Sequence, residues 1–175
     1  MVIHKKNFYF VRHGEADFAK VIPLDYDGDV SLNALGRQQA LTIQPHIEKL
    51  PIQTVCVSPL RRALETKEII AKNIKCPHIV IPELEECNGV IWEMMTSIEN
   101  NPQQLTSHVQ DFMQRAVNGI NKALSYPGPV LIVAHGGVHW AMCYFMKIQQ
   151  HDKFVENCIP LHFHHNDHEW NVKRV

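Results

Sequence analysis

Arg12-His13-Gly14-Glu15, Ser58-Pro59-Leu60-Arg61-Arg62 and His135-Gly136-Gly137 each follow directly on a short apolar run, and each carries side chains suited to an anion. Arg61 and Arg62 fall where a helix is predicted to begin. A helix start carries the positive end of the macrodipole, so cations there cost roughly a few tenths of a kcal/mol apiece unless an anion visits. Backbone N–H groups and guanidinium forks together suit phosphate. Of the pair, Arg62 reads as the anion ligand and Arg61 as a solvated surface arginine. Ser58 is explained by capping that helix, with Pro59 at its first position.

Residues this far apart need a scaffold to bring them together. Phe8–Val11, Thr54–Val57, Ile79–Ile81 and Val130–Ala134 are short apolar runs that read as buried strands. Helical patterns cover about Asn33–Leu50, with Pro45 interrupting or kinking it, and Ser58 to about Asn73. Further helices are predicted from Asn101-Pro102 to about Leu124 and over Val138–Met146, while residues 17–30 and the acidic stretch PELEECNG read as loops. The tail reads as two short strands about an Asn166-Asp167 turn. Strands alternating with helices predict an α/β three-layer sandwich, a mainly parallel central sheet with helices on both faces, in one domain over residues 1–175. Ligands of such sheets bind beyond the carboxyl ends of the strands, where all three groups fall.

The bulk numbers narrow the chemistry. Lys+Arg number 17 and Asp+Glu 18 in 175 residues, a net charge of −1, so no global field favours nucleic acid or an acidic membrane surface. No run approaches the ~18 apolar residues of a membrane span, and Phe8–Val11 is too short for a signal-peptide core. Five cysteines without a C-x-x-C pair suit reduced thiols and a cytoplasmic protein. His162, His164, His165 and His168 invite a metal, yet no Cys or carboxylate pattern completes a site, so a polar strand face is expected instead.

RHGE at 12–15, SPLRRALET at 58–66 and AHGG at 134–137 resemble the histidine phosphatase superfamily, which includes the phosphoglycerate mutases. SLNALGRQQA at 31–40 resembles that superfamily's L-T-x-x-G-x-x-Q-A helix start, and the likeness runs in order from residue 8 to about 140. It implies that His13 accepts the phosphoryl group and that Arg12, Arg62 and His135 line the phosphate pocket. The proton donor is implied to be the acid of an L-x-E segment. Leu84-Glu85-Glu86 makes that Glu86, with Glu83 and Glu85 as close competitors whose crowding would raise its pKa. A neutral imidazole can attack phosphorus, and arginine forks with a protonated His135 can hold the equatorial oxygens, so no metal or cofactor is needed.

Two departures stand out. Where relatives read RHGETxxN, this chain has Ala16 and Lys20, so Lys20 is the candidate replacement donor. Where relatives continue F-G-x-W-E-G after the acid, this chain has Cys87 to Glu93 in shifted spacing, with Trp92 and Met94-Met95 expected as an apolar wall. The short interval between Trp92 and the next helix leaves no lid to retain a bisphosphate, which favours hydrolysis over phosphoglycerate mutase transfer. The substrate class is then a small phosphorylated metabolite or a phosphorylated protein side chain. A non-catalytic phosphate-binding module is the contrasting reading. Oligomeric state is not legible, although the tail strands offer an edge.

Overall fold

A computed structural model describes residues 1–17, 28–148, 151–166 and 168–175. Its strands are β1 (Phe8–Arg12), β2 (Thr54–Val57), β3 (His78–Val80), β4 (Val130–Ala134), β5 (Leu161–His165) and β6 (Trp170–Arg174). They form one sheet in the order β3-β2-β4-β1-β5-β6. β1, β2, β3 and β4 pair in parallel, whereas β5 runs antiparallel to β1 and β6 antiparallel to β5. The tail is therefore the hairpin read from the sequence, and it extends a mainly parallel sheet.

The helices are α1 (Ala34–Ile47), α2 (Arg61–Ile70), α3 (Gly89–Ser97), α4 (Ser107–Leu124) and α5 (Gly136–Met146). Strand side chains alternate between two cores. Phe8, Phe10, Cys56, Ile132 and Ala134 pack with residues of α3, α4 and α5 such as Met95, Phe112 and Val138. Tyr9, Val11, Val55, Val57, Leu131 and Val133 pack with Ala40, Ile47, Ala63 and Ile70 of α1 and α2. Burial on both faces explains why these strands are apolar runs rather than alternating patterns.

Four local readings change. α2 begins at Arg61 behind Leu60, not at Pro59, because the Ser58 hydroxyl is engaged elsewhere. α1 continues through Pro45 to Ile47; the proline lies in the last turn, where its missing N–H removes one ladder bond. Pro102 opens only a 3-10 turn, Pro102–Gln104, and α4 starts behind Thr106. α3 begins at the last residue of the predicted loop and fills a stretch given no element from the sequence: the Asn88 side chain accepts from the Ile91 N–H at 2.9 Å and starts a helix that opens on glycine.

Gly14 and Gly36 touch back to back. A Cβ at Gly36 would collide with the backbone oxygen and nitrogen of Glu15, and one at Gly14 with the Gly36 carbonyl. Backbone cannot step aside as a flexible side chain can, so Gly36→Ala is expected to cost about 3 kcal/mol. Urea unfolding measures this directly; an unchanged midpoint would mean that α1 shifts freely.

Candidate active site

The sheet itself brings the three motifs together. The His13 N–H donates to the Ala134 carbonyl at 3.0 Å, and the Ser58 N–H donates to the Val133 carbonyl at 3.0 Å. β4 is thus the common ruler, and its own continuation is His135.

His13 is 2% exposed. Its Nδ1 lies 2.7 Å from the Gly14 carbonyl, which can only accept, so Nδ1 carries the proton and Nε2 keeps its lone pair. Arg62, 1% exposed, donates from Nε to that Nε2 at 3.2 Å and from Nη1 to the Gly28 carbonyl at 3.0 Å. Burial and then the Arg62 charge lower the His13 pKa to about 3, against the opposing Gly14 bond. The imidazole is therefore neutral near physiological pH.

His135 is fully buried, and its ring lies 5.1 Å from that of His13 between centroids. Its Nε2 sits 2.6 Å from the Ser58 hydroxyl, and the same oxygen accepts from the Leu60 N–H at 3.3 Å. Where the hydroxyl donates to Nε2, the imidazole proton is on Nδ1. Nδ1 has no hydrogen-bond partner among the described residues. Burial, followed by the charges of His13, Arg62 and Arg12, lowers the pKa of His135. That shift favours the neutral imidazole over the protonated one expected from the sequence. Ser58→Ala frees this tautomer, and kcat/KM is expected to fall about tenfold, as for one lost hydrogen bond. Steady-state kinetics decide; a rate within twofold of wild type would remove Ser58 from the site's support.

Arg12 donates from Nη1 to the Val155 carbonyl at 2.8 Å, while its Nε is buried with no partner among the described residues. Glu86 accepts from the Gly137 N–H at 2.9 Å on one oxygen and from the Cys87 N–H at 3.1 Å on the other. A Cβ at Gly137 would strike the Glu86 carboxyl, so the second glycine of AHGG is what admits it. Burial raises the Glu86 pKa, against those two N–H bonds and the Arg62 and Arg12 charges. The cause is burial, not the carboxylate crowding expected from the sequence. Glu83 turns outward to Lys122, with oxygens 2.8 and 3.1 Å from its Nζ, which lowers the Glu83 pKa.

Other expectations resolve in detail. Arg61 is exposed, and its backbone N–H is taken by Asp29 at 2.5 Å, so that amide is not an anion donor. Glu15 has a positioning role: its carboxylate accepts from Asn33 Nδ2 at 2.9 Å, and its N–H donates to Gln39 at 2.8 Å. That pair explains the Asn and Gln of SLNALGRQQA. Trp92 reaches the space beside Gly136 and Arg12 and packs edge-on to Phe154, while Met95 is buried in the core. Lys20 lies outside the described residues. Sequence reasoning missed Thr66, whose hydroxyl accepts from the Gly14 N–H at 3.0 Å, and Asn157, whose Nδ2 donates to the His13 carbonyl at 2.6 Å. Thr66 stood inside the quoted SPLRRALET motif; Asn157 carried no signal.

The carboxyl ends of a mainly parallel sheet thus gather two histidines, two arginines and a buried carboxyl. The sequence profile of the histidine phosphatase superfamily (branch 1) matches residues 8–175, and the chain belongs to that superfamily. The protein called probable phosphatase SPAC513.02 in Schizosaccharomyces pombe is 44% identical over 93 residues, 47% of this chain and 41% of that protein. The chain thus spans less than half of that relative's length. Two solved structures share the fold. Phosphoglycerate mutase from Bacillus anthracis superposes with a TM-score of 0.75 at 18% identity, over 97% of this chain and 92% of its own. Phosphoserine phosphatase from Entamoeba histolytica, solved with 3-phosphoglyceric acid, gives 0.70 at 16% identity, over 95% and 94%. No helix among the described residues is long and apolar enough to cross a membrane.

Proposed function

We propose that this chain hydrolyses phosphomonoesters through a phosphohistidine on His13 Nε2, with arginine rather than metal charge at the phosphoryl group. The observation that carries this reading is the fixed His13 ring: Nδ1–H on the Gly14 carbonyl, lone pair on Nε2, and Arg62 Nε 3.2 Å from that lone pair. In the first step Nε2 attacks phosphorus, the P–O ester bond breaks, and Glu86 gives its proton to the leaving oxygen. In the second, the Glu86 carboxylate takes a proton from water, the water oxygen attacks phosphorus, and the N–P bond breaks. Inorganic phosphate leaves, and both residues return to their starting states. Arg12, Arg62 and the Nδ1–H of His135 hold the equatorial oxygens throughout.

Hydrolysis rather than retransfer is supported by the chain between α3 and α4. It runs only through 98–106 and includes one 3-10 turn, so no additional segment stands there to seal a bisphosphate from water. Small phosphorylated metabolites are the proposed substrate class, with phosphorylated protein side chains as the competing one. The phosphoserine phosphatase and phosphoglycerate mutase sharing this fold are named for small phosphomonoesters.

The test is hydrolysis of p-nitrophenyl phosphate in EDTA, with radiolabelled phosphoryl enzyme trapped by rapid denaturation. Turnover with a trapped label that is stable to base and released by acid supports the reading. Turnover that needs an added divalent metal and traps no such label overturns it. Phosphate binding with no turnover of any phosphomonoester would make the chain a binding module.

A further inference from the structure

Away from this site, α5 and the segment beyond it bring three ligand-type side chains together. His139 and Cys143 stand one helical turn apart on α5, both fully buried, and His151 reaches them from after the helix. His139 Nε2 lies 3.0 Å from His151 Nε2 and 3.6 Å from Cys143 Sγ, and all three ligand atoms fall within 4.8 Å of one another. We propose that His139, Cys143 and His151 form a zinc(II) site that pins the segment after α5 to that helix.

Three features carry the proposal. First, His139 Nδ1 lies 2.9 Å from the Lys153 carbonyl, which can only accept, so its proton is on Nδ1 and the Nε2 lone pair faces the cluster. A backbone acceptor on the far nitrogen is the usual outer support of a metal-bound imidazole. Second, the distances suit a tetrahedral ion. Zn–N near 2.05 Å and Zn–S near 2.3 Å give an N···S edge of about 3.6 Å and an N···N edge of about 3.4 Å. The His139–Cys143 separation matches the N···S edge, the His139–His151 separation is slightly short of the N···N edge, and Cys143 and His151 lie within 4.8 Å of each other, so a small shift of His151 closes the set. Third, hydrogen bonding alone serves the cluster badly: His151 N–H and Cys143 S–H both aim at the single lone pair on His139 Nε2. One ion would satisfy all three.

Asp152 follows His151 directly in the chain and supplies a negative charge beside the cluster. When the Zn–S bond forms, the thiol proton passes to solvent. The two imidazoles lose none, and His151 moves its proton from Nε2 to Nδ1. The pinned segment is not remote from the chemistry. Within 151–158, the Val155 carbonyl holds Arg12, Asn157 holds the His13 carbonyl, and the Cys158 N–H donates to the Arg12 carbonyl at 3.0 Å.

The metal-stripped full chain should take up one equivalent of cobalt(II) with the ligand-field bands of a tetrahedral site and a thiolate charge-transfer band. Zinc should bleach both. Zinc at about a thousandfold over its Kd should raise Tm by roughly 10 °C. Cys143→Ser should lose the charge-transfer band, and His151→Asn, at a half-buried position, should lose the thermal shift. His139→Asn also breaks the bond to the Lys153 carbonyl, whereas Cys143→Ser is nearly isosteric and His151 is half-buried, so those two variants carry the test. Cobalt binding without thiolate character, undiminished zinc stoichiometry in Cys143→Ser, or a wild-type Tm indifferent to zinc would show that the cluster is only hydrogen-bonded. None of these readouts uses turnover, so the zinc site and the phosphohistidine reading fail separately.

Discussion

His13→Ala is expected to lower kcat/KM for any phosphomonoester by at least about a thousandfold and to trap no phosphoryl enzyme. The effect is large because the side chain supplies the attacking atom itself; no neighbouring group among the described residues presents an equivalent lone pair to Arg62. The variant keeps Arg12, Arg62 and His135, so inorganic phosphate should still bind within about tenfold of wild type by calorimetry. Retained binding separates loss of chemistry from loss of fold. A variant with turnover within tenfold of wild type would rule out the phosphohistidine.

The second large effect is conditional on the leaving group. Glu86→Gln should cut kcat for alkyl phosphate esters by about 10²–10⁴, because the departing alkoxide then leaves without a proton. For p-nitrophenyl phosphate the loss should be no more than about tenfold, since nitrophenolate leaves readily as the anion. Glutamine keeps an acceptor for only one of the Gly137 and Cys87 N–H groups, and this accounts for part of that remainder. The pH dependence carries the sign. Glu86 acts when protonated, and burial raises its pKa, so the rate holds above the ordinary carboxylate range and then falls as pH rises through the shifted value. In Glu86→Gln that alkaline fall should flatten. His13, lowered to about 3, should produce no inflection near 6.5. Equal losses for both ester types, or an unaltered alkaline limb, would move the acid role to another residue.

What the sequence disclosed is what periodicity and polarity encode locally. β1, β2 and β4 were legible as apolar runs because both faces of the sheet are covered, and His13, Arg62 and His135 because each directly follows a run or opens a helix. Glu86 was harder: three carboxylates crowd residues 83–86, and only the turn that sends Glu83 to Lys122 and Glu86 to Gly137 sorts them. α3 stayed hidden because Gly89, Val90 and Ile91 are poor helix formers and a single Asn88 bond starts it. Ser58 was misassigned because a hydroxyl at a helix start is ordinarily a cap, whereas here it meets His135 at the end of the neighbouring strand, 77 residues away in sequence. The His139–Cys143 pair has helical i,i+4 spacing and was visible in principle; His151 joins it only through the path of the chain after α5. Contacts made by backbone atoms, such as the Val155 carbonyl on Arg12, leave no trace in residue identity.

The central position of β1 also has a consequence for biosynthesis. Its partners β4 and β5 lie more than a hundred residues later in the chain. At ribosomal speeds of roughly 5–20 residues per second, Phe8, Tyr9, Phe10 and Val11 wait about 6–30 s for either one. During that interval the nascent chain exposes an apolar strand that the folded sheet buries, and His13 has no pocket around it. The sheet therefore closes only late in synthesis, and until then this unpaired strand is the part of the chain most open to wrong pairing.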